Sequence, residues 1–277
     1  MGLGLGVLRK QKVDGATVRR AKPRAVAADE LVYDGARQSI TAGQSAFCAL
    51  AVFALVVGLA TEMAATWRIL HVLFFAGFSL VTLLRLIAVL TPRRRRLWIP
   101  LPDRELPRYT ILAPLYKEAA VVGELIEALD RIDYPRDRLQ ALIVLEADDD
   151  ETREAVAALN PPRFIQVLIA PPGRPRTKPR ACNVALEQAT GEFLVIYDAE
   201  DHPGPLQLRE AAARFSVADD SLVCLQAPLR VYPRDQFLPR QFGLEYAVQF
   251  EVVLPALTRL GAPFPLGGTS NHFRGIM

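Results

Sequence analysis

At 277 residues the chain exceeds one small domain, and 51% hydrophobic residues with a positive mean hydropathy are rich for a wholly soluble protein. The net charge of +3 gives no support to nucleic-acid binding, because the arginine clusters lie beside apolar stretches where anionic lipid accounts for them. Cys48, Cys182 and Cys224 have no metal-ligand spacing, and a reduced cytosolic setting is their simplest reading.

Residues 1–43 carry basic clusters with little periodicity and read as a flexible region. No secretory signal is evident, since the first strongly apolar segment starts too late and is of spanning length. Within 44–91, two segments at 45–65 and 67–90 each meet the roughly 20 helical residues that cover a ~30 Å hydrocarbon core. A buried helical hairpin of a soluble domain is the alternative. Arg19, Arg20, Lys22, Arg24 and Arg37 precede the first segment and Arg93 to Arg96 follow the second, while the connecting turn carries only Glu62 and Arg68. Basic flanks are retained on the cytoplasmic side, so the expectation is an integral membrane hairpin, in a bacterial-type inner membrane, that starts and ends in the cytoplasm. His71 and Arg85 read as helix-packing or interfacial groups.

Beyond a juxtamembrane linker at 92–108 the pattern changes to short apolar runs alternating with helical stretches. Strands are predicted at 109–113, 140–145, 164–169, 193–197 and 221–226. Helices are predicted between them at 118–132, 151–159, 179–189 and 205–215. This alternation predicts an α/β domain over 109–277, a mostly parallel sheet with helices on both faces. Ligands of such sheets gather beyond the carboxyl ends of the strands.

The strand exits therefore concentrate the chemistry. The first runs into Pro114-Leu115-Tyr116-Lys117-Glu118, and the second into Glu146-Ala147-Asp148-Asp149-Asp150-Glu151. Asp150 and Glu151 suit a helix start, whereas Glu146 and Asp148 are candidates to accept hydrogen bonds from a nucleotide. The third exit is a proline-stiffened basic loop in which Lys178 and the next helix terminus could meet phosphate, with Thr177 as a cap and Asn183 one turn inside. A solvated basic loop is the plainer alternative. The fourth exit is Asp198-Ala199-Glu200-Asp201. Along an extended chain Asp198 and Glu200 would share one side, suiting Mg or Mn, while Asp201 turns away; an acidic helix cap is the alternative.

These elements, in this order, resemble the family-2 glycosyltransferases of GT-A fold, in particular the membrane-embedded, cellulose-synthase-like branch that makes polysaccharide. The likeness runs from Tyr109 to Arg274. Pro114 to Glu118 looks like the family's opening Pro-x-x-x-Glu element, Glu146 and Asp148 like its nucleotide-holding acids, and Lys178 with Asn183 like its spaced Lys and Asn. Asp198-Ala199-Glu200 would be the Asp-x-Asp metal element with Glu in place of the second Asp. Gln226-Ala227-Pro228 resembles a Gln-x-Pro segment, and Gly268, Thr269 and Ser270 belong to a small-residue turn on the acceptor side.

The resemblance implies an inverting transfer from a nucleotide sugar, a UDP-sugar, to a glycan or lipid acceptor, with Mg or Mn and Lys178 stabilising the departing diphosphate. It also implies a general base in a Thr-Glu-Asp element and a later Gln-x-x-Arg-Trp element, neither of which occurs here. The base is therefore expected beyond Met277, and the catalytic domain is expected to be incomplete at its carboxyl end. A membrane-anchored nucleotide-sugar-binding fragment without turnover is the alternative. His272 as a substitute base and His202 as a metal or phosphate contact are each set against a packing role.

Overall fold

The computed structural model describes residues 6–9, 40–91, 98–173, 176–231 and 236–274. The basic clusters at Arg19 to Arg37 and Arg93 to Arg96, and Arg174 of the basic loop, lie outside the described residues. The chain divides into two compact units, Pro23–Thr91 on the one hand and Met1–Lys22 with Pro92–Met277 on the other.

The first unit is a pair of apolar helices, α1 (Ala42–Thr61) and α2 (Met63–Leu90), of 20 and 28 residues, whose most apolar windows have mean hydropathies of 2.0 and 2.3. The break falls at Glu62, with φ −141 and ψ 60, rather than near residue 66. The apolar pattern continues through Met63, Ala64 and Ala65, so hydropathy alone cannot place a one-residue interruption. Thr41 and Gln44 form a capping box at the start of α1. A Cβ on Gly58 would come within 2.6 Å of Thr66 Oγ1, so the glycine lets the two helices meet beside the break. The polar side chains bond their own helix: Thr61 and Thr82 donate to Val57 and Phe78 carbonyls at 2.8 Å, and His71 Nδ1 lies 2.9 Å from the Trp67 carbonyl oxygen.

The second unit is built on one sheet. Its strands are β1 (Gly6–Arg9), β2 (Tyr109–Leu115), β3 (Leu139–Glu146), β4 (Ile165–Ala170), β5 (Phe193–Ile196), β6 (Leu222–Gln226) and β7 (Asn271–Arg274), in the spatial order β1-β6-β7-β5-β2-β3-β4. From β2 to β6 the strands run one way, and β7 and β1 run against them. The mostly parallel sheet is thus as expected. The wedging of β7 between β5 and β6 is not, because Asn271-His272-Phe273-Arg274 shows no apolar alternation. Within the region read as flexible, Gly6–Arg9 pairs along β6.

The interior strand β3 is buried along almost its whole length, as a continuous apolar run covered on both faces should be. One face packs under α3 (Val122–Asp130) and α6 (Gln207–Ser216), where Val122, Leu125, Ile126 and Leu129 form a stripe at helical spacing over Ile111, Ile143 and Tyr109. The other face takes α5 (Lys178–Leu186), whose Ala181, Cys182 and Ala185 meet Leu112, Leu142 and Leu194. A further helix, α4 (Asp150–Ala158), follows β3. Helix α3 begins four residues later than predicted because the chain first turns, with the Glu118 carbonyl accepting from Val121 and Val122. Gly191 is where the chain crosses closest to β2: its N–H donates to Thr110 Oγ1 at 2.9 Å, and a Cβ there would come within 2.4 Å of the Thr110 nitrogen. Between β6 and β7 stand α7 (Phe237–Val248), a π turn at Gln249–Val253 and α8 (Leu254–Arg259), none of which the sequence patterning predicted.

Candidate functional site

All the predicted strand exits lie on one edge of this sheet, and there Glu146, Asp148 and Asp198 each meet a cation from the stretch Arg176 to Arg180 at the start of α5. Glu146, buried at the end of β3, accepts from Arg180 Nη1 at 3.1 and 3.2 Å, and Arg180 also donates to the Pro171 carbonyl. Asp148 is exposed and pairs with Arg176 at 2.6 Å. Lys178, at the amino end of α5, binds both the Asp198 carboxylate and, at 2.6 Å, the Gly268 carbonyl. Cations from one segment thus offset acids at two strand ends that would otherwise repel one another.

Asp149 is the acid whose role was missed. It is buried, caps α4 by accepting from the Thr152 N–H at 3.2 Å, and accepts from the Lys117 N–H at 2.5 Å. Lys117 adopts φ 60 at the exit of β2, so this carboxylate holds a backbone conformation that a non-glycine residue seldom takes. Burial on its own would raise the Asp149 carboxyl, but the hydrogen bonds from Lys117 and Thr152 outweigh it and hold it below the usual range. Asp150 and Glu151 occupy the first turn of α4, as expected.

Strand β5 ends at Ile196, and Asp198 to Asp201 form a turn closed on itself rather than an extended segment. The Asp201 carboxylate accepts from the Asp198 N–H at 2.6 Å and from the Thr269 hydroxyl, and the Asp201 N–H donates to the Asp198 carbonyl at 3.1 Å. Asp201 therefore folds back into the site instead of turning away. Burial pushes its carboxyl up, against the hydrogen bonds from Thr269 and Asp198, and the charges of Asp198 and Glu200 push it further. The turn before β7 is pinned residue by residue. Gly267 O accepts from Asn271 Nδ2 at 2.6 Å, Gly268 O from Lys178, and the Thr269 hydroxyl and Ser270 N–H donate to Ile196 O at 3.2 and 2.8 Å.

Other predicted residues stand apart. Pro114 lies inside β2, past its last pairing with β5, where a missing N–H breaks no ladder bond on that side. Glu118 reaches the site through its backbone, its N–H donating to Thr152 Oγ1 at 3.0 Å. Asn183 is exposed on α5, and Thr177 holds the cap position without a side-chain bond. His202 faces Glu124 at 3.6 Å. His272 is enclosed in the core, its Nδ1 2.6 Å from Tyr109 Oη and its Nε2 3.4 Å from Gln207 Nε2, so it has no access to a substrate proton.

Among the described residues no three His, Cys, Asp or Glu side chains form a metal cage. In this turn Asp198 is half-buried and Glu200 exposed, and the charges of both act on Asp201.

The family model described as Glycosyltransferase like family 2 matches residues 107–272, which spans the sheet from the linker into β7. The chain belongs to this family. Two curated relatives are the poly(ribitol-phosphate) beta-N-acetylglucosaminyltransferase TarS of Staphylococcus aureus and the cellulose synthase 1 catalytic subunit [UDP-forming] of Komagataeibacter xylinus. TarS is 28% identical over 111 residues, 38% of this chain and 18% of TarS. The cellulose synthase subunit is 29% identical over 174 residues, 61% of this chain and 21% of the subunit. This family 2 chain thus matches about a fifth of the length of either relative. Among solved structures, the mannosyltransferase PcManGT of Pyrobaculum calidifontis, in complex with GDP-Man and Mn2+, is 30% identical with a TM-score of 0.47, covering 59% of this chain and 47% of that one.

Proposed function

We propose that this family 2 domain binds a nucleotide sugar, a UDP-sugar, at the carboxyl edge of its sheet and serves an inverting transfer to a glycan or lipid acceptor. The carrying observation is the link from Lys178 to Asp198 and to the Gly268 carbonyl. It joins the amino end of α5, the exit of β5 and the turn before β7 at one cation. A diphosphate placed there meets the Lys178 ammonium and the positive end of α5. Asp148, exposed beside it, is the acid placed to accept from the nucleoside, while buried Glu146 positions Arg180; Asn183, Pro114 and Glu118 remain at the margin of this site. Asp198 and Glu200 would hold Mg or Mn, which when bound offsets charge on the leaving diphosphate. Gly268, Thr269 and Ser270 form the side from which an acceptor approaches. The cellulose synthase relative's designation as UDP-forming supports the donor class.

The two apolar helices support a bilayer partner, with the amino terminus and the catalytic domain on the cytosolic side where nucleotide sugars are made. Large apolar side chains such as Phe53, Phe74 and Phe78 are 65–78% exposed, so they need an apolar surrounding. A second reading, a nucleotide-sugar-binding fragment without turnover, is favoured by one observation. Around the turn before β7, His272 is enclosed and Asp201 is bonded to Thr269, so neither is open to take an acceptor proton.

Calorimetric titration of the full chain in detergent with UDP and Mn2+ tests the shared core of both readings. Micromolar-range binding that Asp198→Ala weakens at least tenfold is expected. No binding in the unaltered chain would sink both, and labelled UDP-sugar turnover would separate them.

A further inference from the structure

On the face of the sheet that carries Ile196, Gln226 and Asn271 are register partners at the end of β6 and the start of β7. Both are buried, Gln226 completely, and three of their polar atoms have no hydrogen-bond partner: Gln226 Nε2 and Oε1 and Asn271 Oδ1. Buried carboxamides are ordinarily satisfied, so an orphaned cluster at a candidate site is the mark of partners yet to arrive. Their cover is the Gly267–Gly268 segment. A Cβ on Gly267 would come within 2.4 Å of Gln226 Nε2, so that amide lies directly against the turn. The next residue's carbonyl is held by Lys178, the cation that the proposed diphosphate would claim.

We propose that the Gly267–Gly268 step is a cover latched by Lys178, and that Gln226 and Asn271 beneath it read a hydroxyl of the transferred sugar. The inference rests on the nucleotide-sugar reading above. When a diphosphate draws the Lys178 ammonium off Gly268 O, the bonds of Thr269 and Ser270 to Ile196 and of Thr269 to Asp201 remain as a hinge, and the Gly267–Gly268 step keeps only the bond from Asn271 Nδ2 to Gly267 O among the described residues. A hydroxyl entering below it accepts from Gln226 Nε2 and donates to Asn271 Oδ1, satisfying donor and acceptor together. Bare nucleotide would release the cover without filling the pair, and a nucleotide sugar would do both.

Two measurements on the full chain in detergent decide it. In the first, hydrogen exchange of residues 267–269 in the unaltered chain rises several-fold on adding UDP with Mn2+; bound UDP with unchanged exchange overturns the latch, and absence of UDP binding overturns the underlying reading instead. In the second, UDP, UDP-glucose, UDP-N-acetylglucosamine and GDP-mannose are titrated into the unaltered chain and Gln226→Met. The variant is expected to melt higher, since an orphaned amide is gone, to bind UDP as before, and to lose roughly tenfold of the margin by which the preferred sugar nucleotide exceeds its bare nucleotide. A higher melting point with that margin intact would make Gln226 a merely structural residue and refute the assignment. The exchange arm needs no variant, so a misfolded Gln226→Met leaves the proposal refutable.

Discussion

His272 is the residue whose meaning changed most between sequence and structure. In sequence it stands after a small-residue turn and offers itself as a base. In the fold it points into the core beside Tyr109 and Gln207, and burial pushes its imidazole down to about 3 from 6.5. The unfolded chain therefore binds a proton between those values that the native state refuses. The stabilisation is complete above pH 6.5 and is lost progressively as the pH falls toward 3. At pH 5 the loss is roughly 2 kcal/mol, from about 1.4 kcal/mol per pH unit below the unfolded value. Thermal unfolding between pH 8 and pH 5 should show this decline, and His272→Gln should flatten it; an equally steep decline in the variant would assign the effect to the carboxylates. No pattern in the sequence could reveal this enclosure, because it depends on β7 entering the sheet.

At the scale of elements, the segment from Pro171 to Arg180 works as a comb of cations set against the acids of two strand ends. Its teeth differ in worth. The Arg180–Glu146 pair is 19% and 7% exposed at the side chains, whereas Arg176–Asp148 is 47% and 44% exposed. Removing a cation from a buried pair strands a charge, while an exposed pair is screened and contributes at most about 1 kcal/mol. Arg180→Ala should therefore cost about 3 kcal/mol and lower the melting temperature by roughly 6–12 °C, with Arg176→Ala near neutral. Equal melting points for the two variants would refute the ranking. The elements that present these groups were legible in the sequence, because apolar runs of four to eight residues bounded by polar turns specify buried strands. Their mates were not. Sequence spacing placed an acid at each exit, but which arginine reaches which carboxylate follows from the lateral order of β2, β3 and β5 and the seat of α5 upon them. Helix α7 escaped notice for a different reason: no residue in it is buried, so no core-facing stripe is written into its sequence.

At the scale of the whole molecule, the chain divides into a unit with two helices long and apolar enough to cross a membrane and a unit built on the sheet. If nucleotide sugar is drawn from the cytosol, both ends of the helical hairpin must face it. With Cys48, Cys182 and Cys224 replaced by serine, a cysteine in place of Glu62 should react with an impermeant maleimide on intact cells. One in place of Arg104 should react only after permeabilisation. The reverse pattern would remove the cytosolic donor from the proposal.

Length and hydropathy alone determined that this chain carries two spanning-length helices and an alternating α/β domain, because the burial of apolar surface leaves its period in the order of residues. They also brought every candidate acid and cation to a strand exit. Tertiary structure alone decided that Lys178 touches the Gly268 carbonyl 90 residues away, that Asp201 folds back onto Thr269, and that the Gln226 carboxamide and Asn271 Oδ1 lie unpaired under that same turn. Such contacts depend on β7 pairing between β5 and β6, a long-range choice driven by hydrogen-bond register and shared packing that no local pattern encodes.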